Sequence, residues 1–204
     1  TSGAHQADYG ILVTRSDPTA EKHKGLTYFF VDMKAPGIEV RPIKQISGLS
    51  NFNEVFFTDA RIPDSNRLGK EGEGWKTAIT TLMNERVVAG ERPPPDFEDI
   101  FALSRQLELE SGPAIKNTAV REKLAKWYIQ TQGVRLTRMR SITALSQGRQ
   151  PGPENSIGKA VSAYKRQEIS IFGMDLMDMA GVQTDPDLAP MRALYQEGML
   201  ESPS

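Results

Sequence analysis

The chain has 204 residues and a mass of 22.6 kDa, with 38% hydrophobic and 25% charged residues, the balance of an ordinary globular protein. Its 25 Lys and Arg against 26 Asp and Glu nearly cancel, which argues against a surface built as a whole for nucleic acid or anionic lipid. With no cysteine, disulfides, thiolate metal sites and cysteine nucleophiles are excluded, and two histidines, His5 and His23, are a poor basis for a metal site or a Ser-His-Asp triad. No apolar run approaches the roughly 18 residues of a membrane helix. The start, Thr1-Ser-Gly-Ala-His5, has neither an initiator Met nor a signal-peptide pattern, so a soluble, cytosolic fragment is expected.

The first third reads as short strands. Tyr9–Arg15, Gly25–Asp32, Ile38–Ile43 and Glu54–Thr58 are rich in β-branched and aromatic residues. Turn formers separate them at Ser16-Asp-Pro18, Ala35-Pro-Gly37 and Pro63-Asp-Ser-Asn66. Three or four strands cannot close a sheet and would leave apolar faces exposed, so this is half a β-domain.

After Gly72 the pattern turns helical. Trp75, Ala78, Ile79 and Leu82 recur at i, i+3, i+4 and i+7, an amphipathic stripe that runs to about Gly90. The Glu91-Arg-Pro-Pro-Pro95 stretch ends that helix. Further helices are expected over Asp96–Glu110, Lys116 to about Gly148, and about Ser156 to Met179, with a looser segment over Asp185–Glu201. Long helices with short connections imply an antiparallel bundle.

Glu85 shares a helix face with Ala78, Leu82 and Ala89, so a carboxylate is aimed where apolar residues point. A buried carboxylate is costly unless paired or used, and desolvation makes it a better base. Two readings stand side by side: an ion pair with a neighbouring helix, or a general base. The Lys116–Arg140 segment carries seven basic side chains against Glu122 alone. It could bind phosphates or a nucleic-acid backbone, or be a solvated face. Gly69-Lys-Glu-Gly-Glu-Gly74 lacks the Gly-Lys-Ser/Thr ending of a phosphate loop and is too acidic, so it reads as a hinge before a helix.

In order along the chain, Thr1-Ser-Gly-Ala-His5, Lys24–Asp32, Pro36-Gly-Ile-Glu-Val40, Asn53–Asp59, Arg61-Ile-Pro63, Leu68-Gly69 through Trp75 and Leu82-Met-Asn-Glu-Arg86 resemble the acyl-CoA dehydrogenase flavoproteins. The resemblance implies an α+β chain: a partial antiparallel β-barrel (residues 1–68) followed by an up-and-down four-helix bundle (residues 69–204). It also implies that the family's N-terminal helical domain, its first barrel strands and its last helix lie outside these 204 residues.

The implied activity is FAD-dependent oxidation of an acyl-CoA thioester to the trans-2-enoyl form. A carboxylate takes the α-proton while the β-hydrogen leaves as hydride. The family keeps that carboxylate either on a loop near its C-terminus or on the helix after the barrel, immediately before an Arg. Glu85-Arg86 matches the second place, and Arg86 a position near coenzyme A. Thr1 and Ser2 match cofactor contacts, Ser2 the hydroxyl that approaches the flavin. Arg121 matches an Arg that reaches the FAD pyrophosphate of a neighbouring subunit, although the usual Arg-x-x-Phe-Gly reads Arg121-Glu-Lys-Leu-Ala125 here. Thr131 and Gln132 fall where further cofactor contacts occur. The resemblance implies a homodimer or homotetramer passing electrons to an electron-transfer flavoprotein or similar acceptor, with no metal, no membrane span and no nucleic acid. A bacterial cytoplasm, or a mitochondrial matrix if eukaryotic, would hold it. The alternative is a non-catalytic helical interaction or nucleic-acid-binding module that keeps the fold.

Overall fold

The computed structural model describes residues 1–88, 94–149 and 152–201, with the side chains of residues 86–88 and 155 outside that description. Ala89 and most of the expected Glu91–Pro95 helix stop therefore lie outside the described residues.

Two antiparallel hairpins open the chain. β1 (Tyr9–Arg15) pairs β2 (Leu26–Asp32), and β3 (Ile38–Ile43) pairs β4 (Phe52–Phe57). They form separate two-stranded ladders rather than one sheet. One face of the first hairpin carries Tyr9, Ile11, Val13 and Phe30, all exposed, with Tyr9 stacked on Phe30 at 4.8 Å. That is the open apolar face expected of half a β-domain.

α1 (Gly74–Val88) is held to β2 by its first turn. A Cβ on Gly74 would lie 2.7 Å from the Leu26 carbonyl oxygen and from the Thr27 backbone, so only glycine allows the helix start to come this close. Just before it, the Gly72 N–H donates to Thr27 Oγ1 at 3.2 Å, and Thr27 is buried. Further along, the Tyr28 hydroxyl donates to Thr81 Oγ1 at 3.2 Å. Compactness accordingly changes after Glu85: Thr1–Glu85 is one unit and Arg86–Ser204 the other.

The second unit is helical, with α2 (Phe97–Gln106), α3 (Thr118–Ser146), α4 (Asn155–Leu176) and α5 (Leu194–Glu201). Asp96 caps α2 reciprocally with Asp99: the Phe97 N–H donates to Asp96 Oδ1 at 2.6 Å and the Asp96 N–H to Asp99 Oδ2 at 2.9 Å. α2 stops short of the expected Glu110. Gly112, at φ 106°, turns the chain so that Gly112-Pro113 pairs with Glu108-Leu109. Asn117 then starts α3 by accepting from the N–H groups of Ala119 and Val120. α4 ends at Leu176, before the expected Met179, and a short 3₁₀ turn follows over Asp178–Val182.

α3 and α4 run antiparallel, with Lys126 beside Glu168 and Thr131 beside Lys165. The core joins Phe97, Ile100 and Leu103 to Val120, Leu124 and Trp127, closed by Ile169 and Tyr195. A partial β-unit followed by a helical bundle is thus the architecture, as the sequence pattern implies. Among the described residues, no helix is long and apolar enough to cross a membrane.

α5 seats Tyr195, fully buried, on Gly173 of α4, where a Cβ would lie 2.3 Å from the ring. Gly173→Ala should gain up to about 1 kcal/mol of helix propensity. Overpacking against a ring with nowhere to move costs about 1–3 kcal/mol. The net expectation is destabilisation, seen as a lower denaturation midpoint; an unchanged or higher midpoint would mean that α5 yields freely.

Candidate functional site

The candidate residues divide between the two units. Thr1 and Ser2 are fixed in the first by β4. The Thr1 nitrogen donates to the Asn53 carbonyl at 2.8 Å, the Asn53 N–H returns a bond to the Thr1 carbonyl at 2.8 Å, and Ser2 bridges Phe52. Asn53 itself is buried, with its Oδ1 2.9 Å from His5 Nδ1. The backbone of this first segment is therefore satisfied, while the Thr1 and Ser2 side chains stay exposed.

Glu85 continues the line Gly74, Ala78, Thr81 at spacings of four, seven and eleven residues, so it lies on the strand-facing side of α1. Ala78 on that line is buried. One turn past Thr81, however, Glu85 is exposed, and so are Trp75, Ile79 and Leu82. Of the expected stripe Ala78 alone is buried, and the expected inward placement of Glu85 is not met, the Thr81 contact with Tyr28 lying a turn short of it. Arg86 follows on the helix backbone; its side chain lies outside the described residues.

On α3, Arg121 and Gln132 are eleven residues apart, about three turns, and so share one face. Tyr128 lies between them on that face and is 49% exposed, whereas Trp127, its neighbour in sequence, is buried in the core. The Arg121 guanidinium reaches solvent. Thr131 does not join them. It follows Leu124 and Trp127 on the inward face, where its Oγ1 accepts a hydrogen bond from Lys165 Nζ at 2.6 Å. An ammonium donates only, so the Thr131 hydroxyl proton remains free to be given to another acceptor.

Lys165 is the group that sequence reasoning missed. It is 3% exposed, and its second partner is Asp96 Oδ1 at 2.5 Å. The adjacent Arg166 donates to the Pro94 carbonyl at 3.1 Å and to Glu201 at 3.0 Å. Side by side in sequence, the two look like ordinary surface cations. Only Asp96 left a trace, as the first residue of an Asp-x-x-Asp cap before an apolar run. Also between α3 and α4, a groove is lined by Lys123, Lys126, Trp127, Glu168, Phe172 and Asp175. Burial pushes the Glu168 carboxyl up, but hydrogen bonds from Lys126 and Trp127 outweigh that and hold it below its usual range. Lys123 lies 4.7 Å over the Phe172 ring. This groove is internally neutralised. Among the described residues no cluster of His, Cys, Asp and Glu is arranged to hold a metal.

With this geometry in place, the comparisons with known proteins define a class. The family model for the acyl-CoA dehydrogenase C-terminal domain matches residues 72–198. The chain belongs to the acyl-CoA dehydrogenase family. It is 36% identical over 197 residues to acyl-CoA dehydrogenase FadE34 of Mycobacterium tuberculosis, covering 96% of this chain and 26% of that protein. It is 33% identical to acyl-CoA dehydrogenase IpdE1 of Mycolicibacterium smegmatis, covering 89% of this chain and 45% of that one. Among solved structures, the Tcur3481-Tcur3483 steroid ACAD superposes with a TM-score of 0.83 at 26% identity, covering 99% of this chain and 52% of that one. The ChsE4-ChsE5 complex from Mycobacterium tuberculosis shares the fold, with a TM-score of 0.79 at 20% identity over 99% of this chain and 53% of that one. The chain thus spans about half the length, or less, of the relatives it matches.

Lys165 generates a stability test within α2, α3 and α4. Lys165→Ala should cost about 3 kcal/mol, the low end for breaking a buried pair, because Asp96 is 45% exposed and can be hydrated. Lys165→Met keeps the packing of the side-chain stem and should cost less. Equal losses in the two variants, read by denaturant titration, would show that the ion pair and not the packing dominates.

Proposed function

We propose that the protein containing this chain is an FAD-dependent acyl-CoA dehydrogenase, with Glu85 as the base that removes the α-proton of the thioester. The observation that carries the reading is Glu85-Arg86 at the end of α1, within a chain that belongs to this family. FAD, when bound, supplies the acceptor for the β-hydride.

The residues fit that cofactor unevenly. Ser2 and Thr1 offer side-chain hydroxyls on a backbone already satisfied by β4, which suits contacts to a flavin without leaving buried groups unpaired. Arg121 presents an exposed guanidinium and Gln132 a half-buried amide on one helix face, donors suited to a diphosphate. Thr131 would contribute only its remaining hydroxyl proton, oriented by Lys165. Arg86 would hold the coenzyme A moiety. We place the junction between barrel and bundle at residues 68/69, close to where the family-domain match begins. The enzyme would be an oligomer in which α3 of one protomer serves the cofactor of another, in a bacterial cytoplasm or a mitochondrial matrix. It would pass its electrons to an electron-transfer flavoprotein or similar acceptor.

The steroid ACAD that aligns with nearly the whole chain favours a bulky, ring-bearing acyl group over a straight fatty chain. The matched relatives named above are acyl-CoA dehydrogenases, which leaves the non-catalytic helical module without support.

In the complete, FAD-loaded protein Glu85→Gln should keep fold and flavin while removing the base. Loss of a general base costs about 10²–10⁴ in rate, so flavin reduction by a good acyl-CoA should slow by at least the lower figure. Bleaching at close to the normal rate in anaerobic stopped-flow would reduce Glu85 to a surface carboxylate. Separately, Arg121→Ala should weaken FAD retention and make it salt-sensitive, whereas Lys116→Ala should do little. Equal flavin loss from both variants on gel filtration would count against the assignment of Arg121.

A further inference from the structure

α1 is fixed where it starts and loosens as it runs on. Gly69 and Gly72, at φ 85° and 79°, lead into it, and Gly74 seats its first turn against the β2 backbone. Beyond that turn the helix bends hydrogen bonds back on itself. The hydroxyls of Thr77, Thr80 and Thr81 donate to the carbonyls of Glu73, Lys76 and Thr77 at 3.3, 3.1 and 3.2 Å. The Asn84 amide donates to the Thr80 carbonyl at 2.9 Å. Side chains that bond the carbonyl four residues back weaken a helix slightly and bend it, so α1 does not set its own direction. Glu85 is eleven residues past Gly74, about 16 Å along the axis, and a tilt of about 10° at the start would carry it about 3 Å.

One contact opposes that tilt. The Tyr28 hydroxyl donates to Thr81 Oγ1 at 3.2 Å, and Thr81 has its own proton engaged on Thr77, so the pair has a single polarity. Tyr28 is 4% exposed, and a buried phenol left without an acceptor is costly. Among the described residues this is the last hydrogen bond between strand and helix, and Leu82, Met83, Asn84 and Glu85 beyond it are exposed. Thr81 stands one turn before Glu85 on the same line of the helix. We propose that Tyr28 is a positioning residue: through Thr81 it fixes the tilt of α1, and with it the place of the Glu85 carboxylate relative to the α-carbon of the thioester. The inference rests on Glu85 being the base and names the side chain that aims it.

The test uses the full-length, FAD-loaded protein and an acyl-CoA that reduces its flavin. In anaerobic stopped-flow Tyr28→Phe should lower the limiting reduction rate at least about tenfold, since a displacement near 1 Å can cost about a hundredfold. The substrate concentration giving half that rate should stay within about twofold. Thr81→Val should show the same loss, and the double variant no more than either single one, because both remove one bond. Thr81→Ser keeps the acceptor and should keep the rate. Amide hydrogen exchange should quicken over residues 82–85 in Tyr28→Phe while that of α2, α3 and α4 stays unchanged, which general destabilisation would not produce. An unchanged rate in Tyr28→Phe, or losses that multiply in the double variant, would overturn the proposal. Glu85→Gln separates the two readings. If it slows reduction and Tyr28→Phe does not, only the positioning role falls; if it leaves the rate unchanged, the base assignment falls and the positioning role with it. With Glu85→Gln already in place, Tyr28→Phe should cost nothing more, and a further tenfold loss there would count against action through Glu85.

Discussion

The helical unit turns on one buried cation. Lys165 leaves α4, is almost fully removed from water, and divides its hydrogens between the cap of α2 and the middle of α3. Burying an ammonium is expensive unless partners replace its water. Here the replacement partners belong to two other helices, so the cost of hydration lost by Lys165 enforces their positions. Apolar packing of Phe97, Leu124, Trp127 and Ile169 holds the helices together but does not by itself fix how far one slides along another. The Lys165 contacts do, because a donor 2.5 or 2.6 Å from its acceptors tolerates no shift of a helical turn. Arg166, one residue on, adds the Pro94 carbonyl and Glu201 to the same anchor.

Once α3 is fixed in this way, its two faces acquire separate tasks. The inward face carries Val120, Leu124, Trp127 and Thr131, and the Trp127 indole and the Thr131 hydroxyl are answered from α4 by Glu168 and Lys165. The outward face carries Arg121, Tyr128, Leu136 and Met139, all exposed, with Gln132 half-buried among them. Arg121 and Gln132 would be held toward a ligand, as proposed, only because the residues a hundred degrees away are clamped. Rotation of α3 by one residue would exchange Gln132 for Thr131 and bury a guanidinium.

Element type was legible in the sequence because it rests on local signals. The four strands follow from β-branched runs between Pro and Gly turns, and α3 and α4 from their length. Their ends were less legible. α2 reads as continuing to Glu110 because helix propensity persists there, whereas the turn at Gly112-Pro113 is decided by backbone geometry and by pairing with Glu108-Leu109. In the candidate site, the shared face of Arg121 and Gln132 follows from helical spacing alone. Lys165 does not, because a cation chosen for burial and one left on the surface have the same letter in the sequence. Glu85 was half legible: its place on the strand-facing line of α1 follows from spacing, but exposure depends on how far the strands reach.

That last difference bears on how the chemistry would work. Glu85 sits on the strand-facing line of α1, yet water reaches it, as it reaches Leu82 and Ile79 on the same helix. A carboxylate becomes a stronger base against a carbon acid when its competing hydrogen bonds to water are removed. Ile79 and Leu82 are exposed apolar side chains of the same helix, and an acyl chain laid along them would bury them. Such a chain would strip the neighbouring carboxylate of solvent in the same step. If Glu85 is the base, as proposed, exposure in the free chain and strength as a base in the complex would then be two states of one site. The binding of apolar substrate surface, at about 25 cal/mol per Å² removed from water, would provide the free energy that converts one into the other.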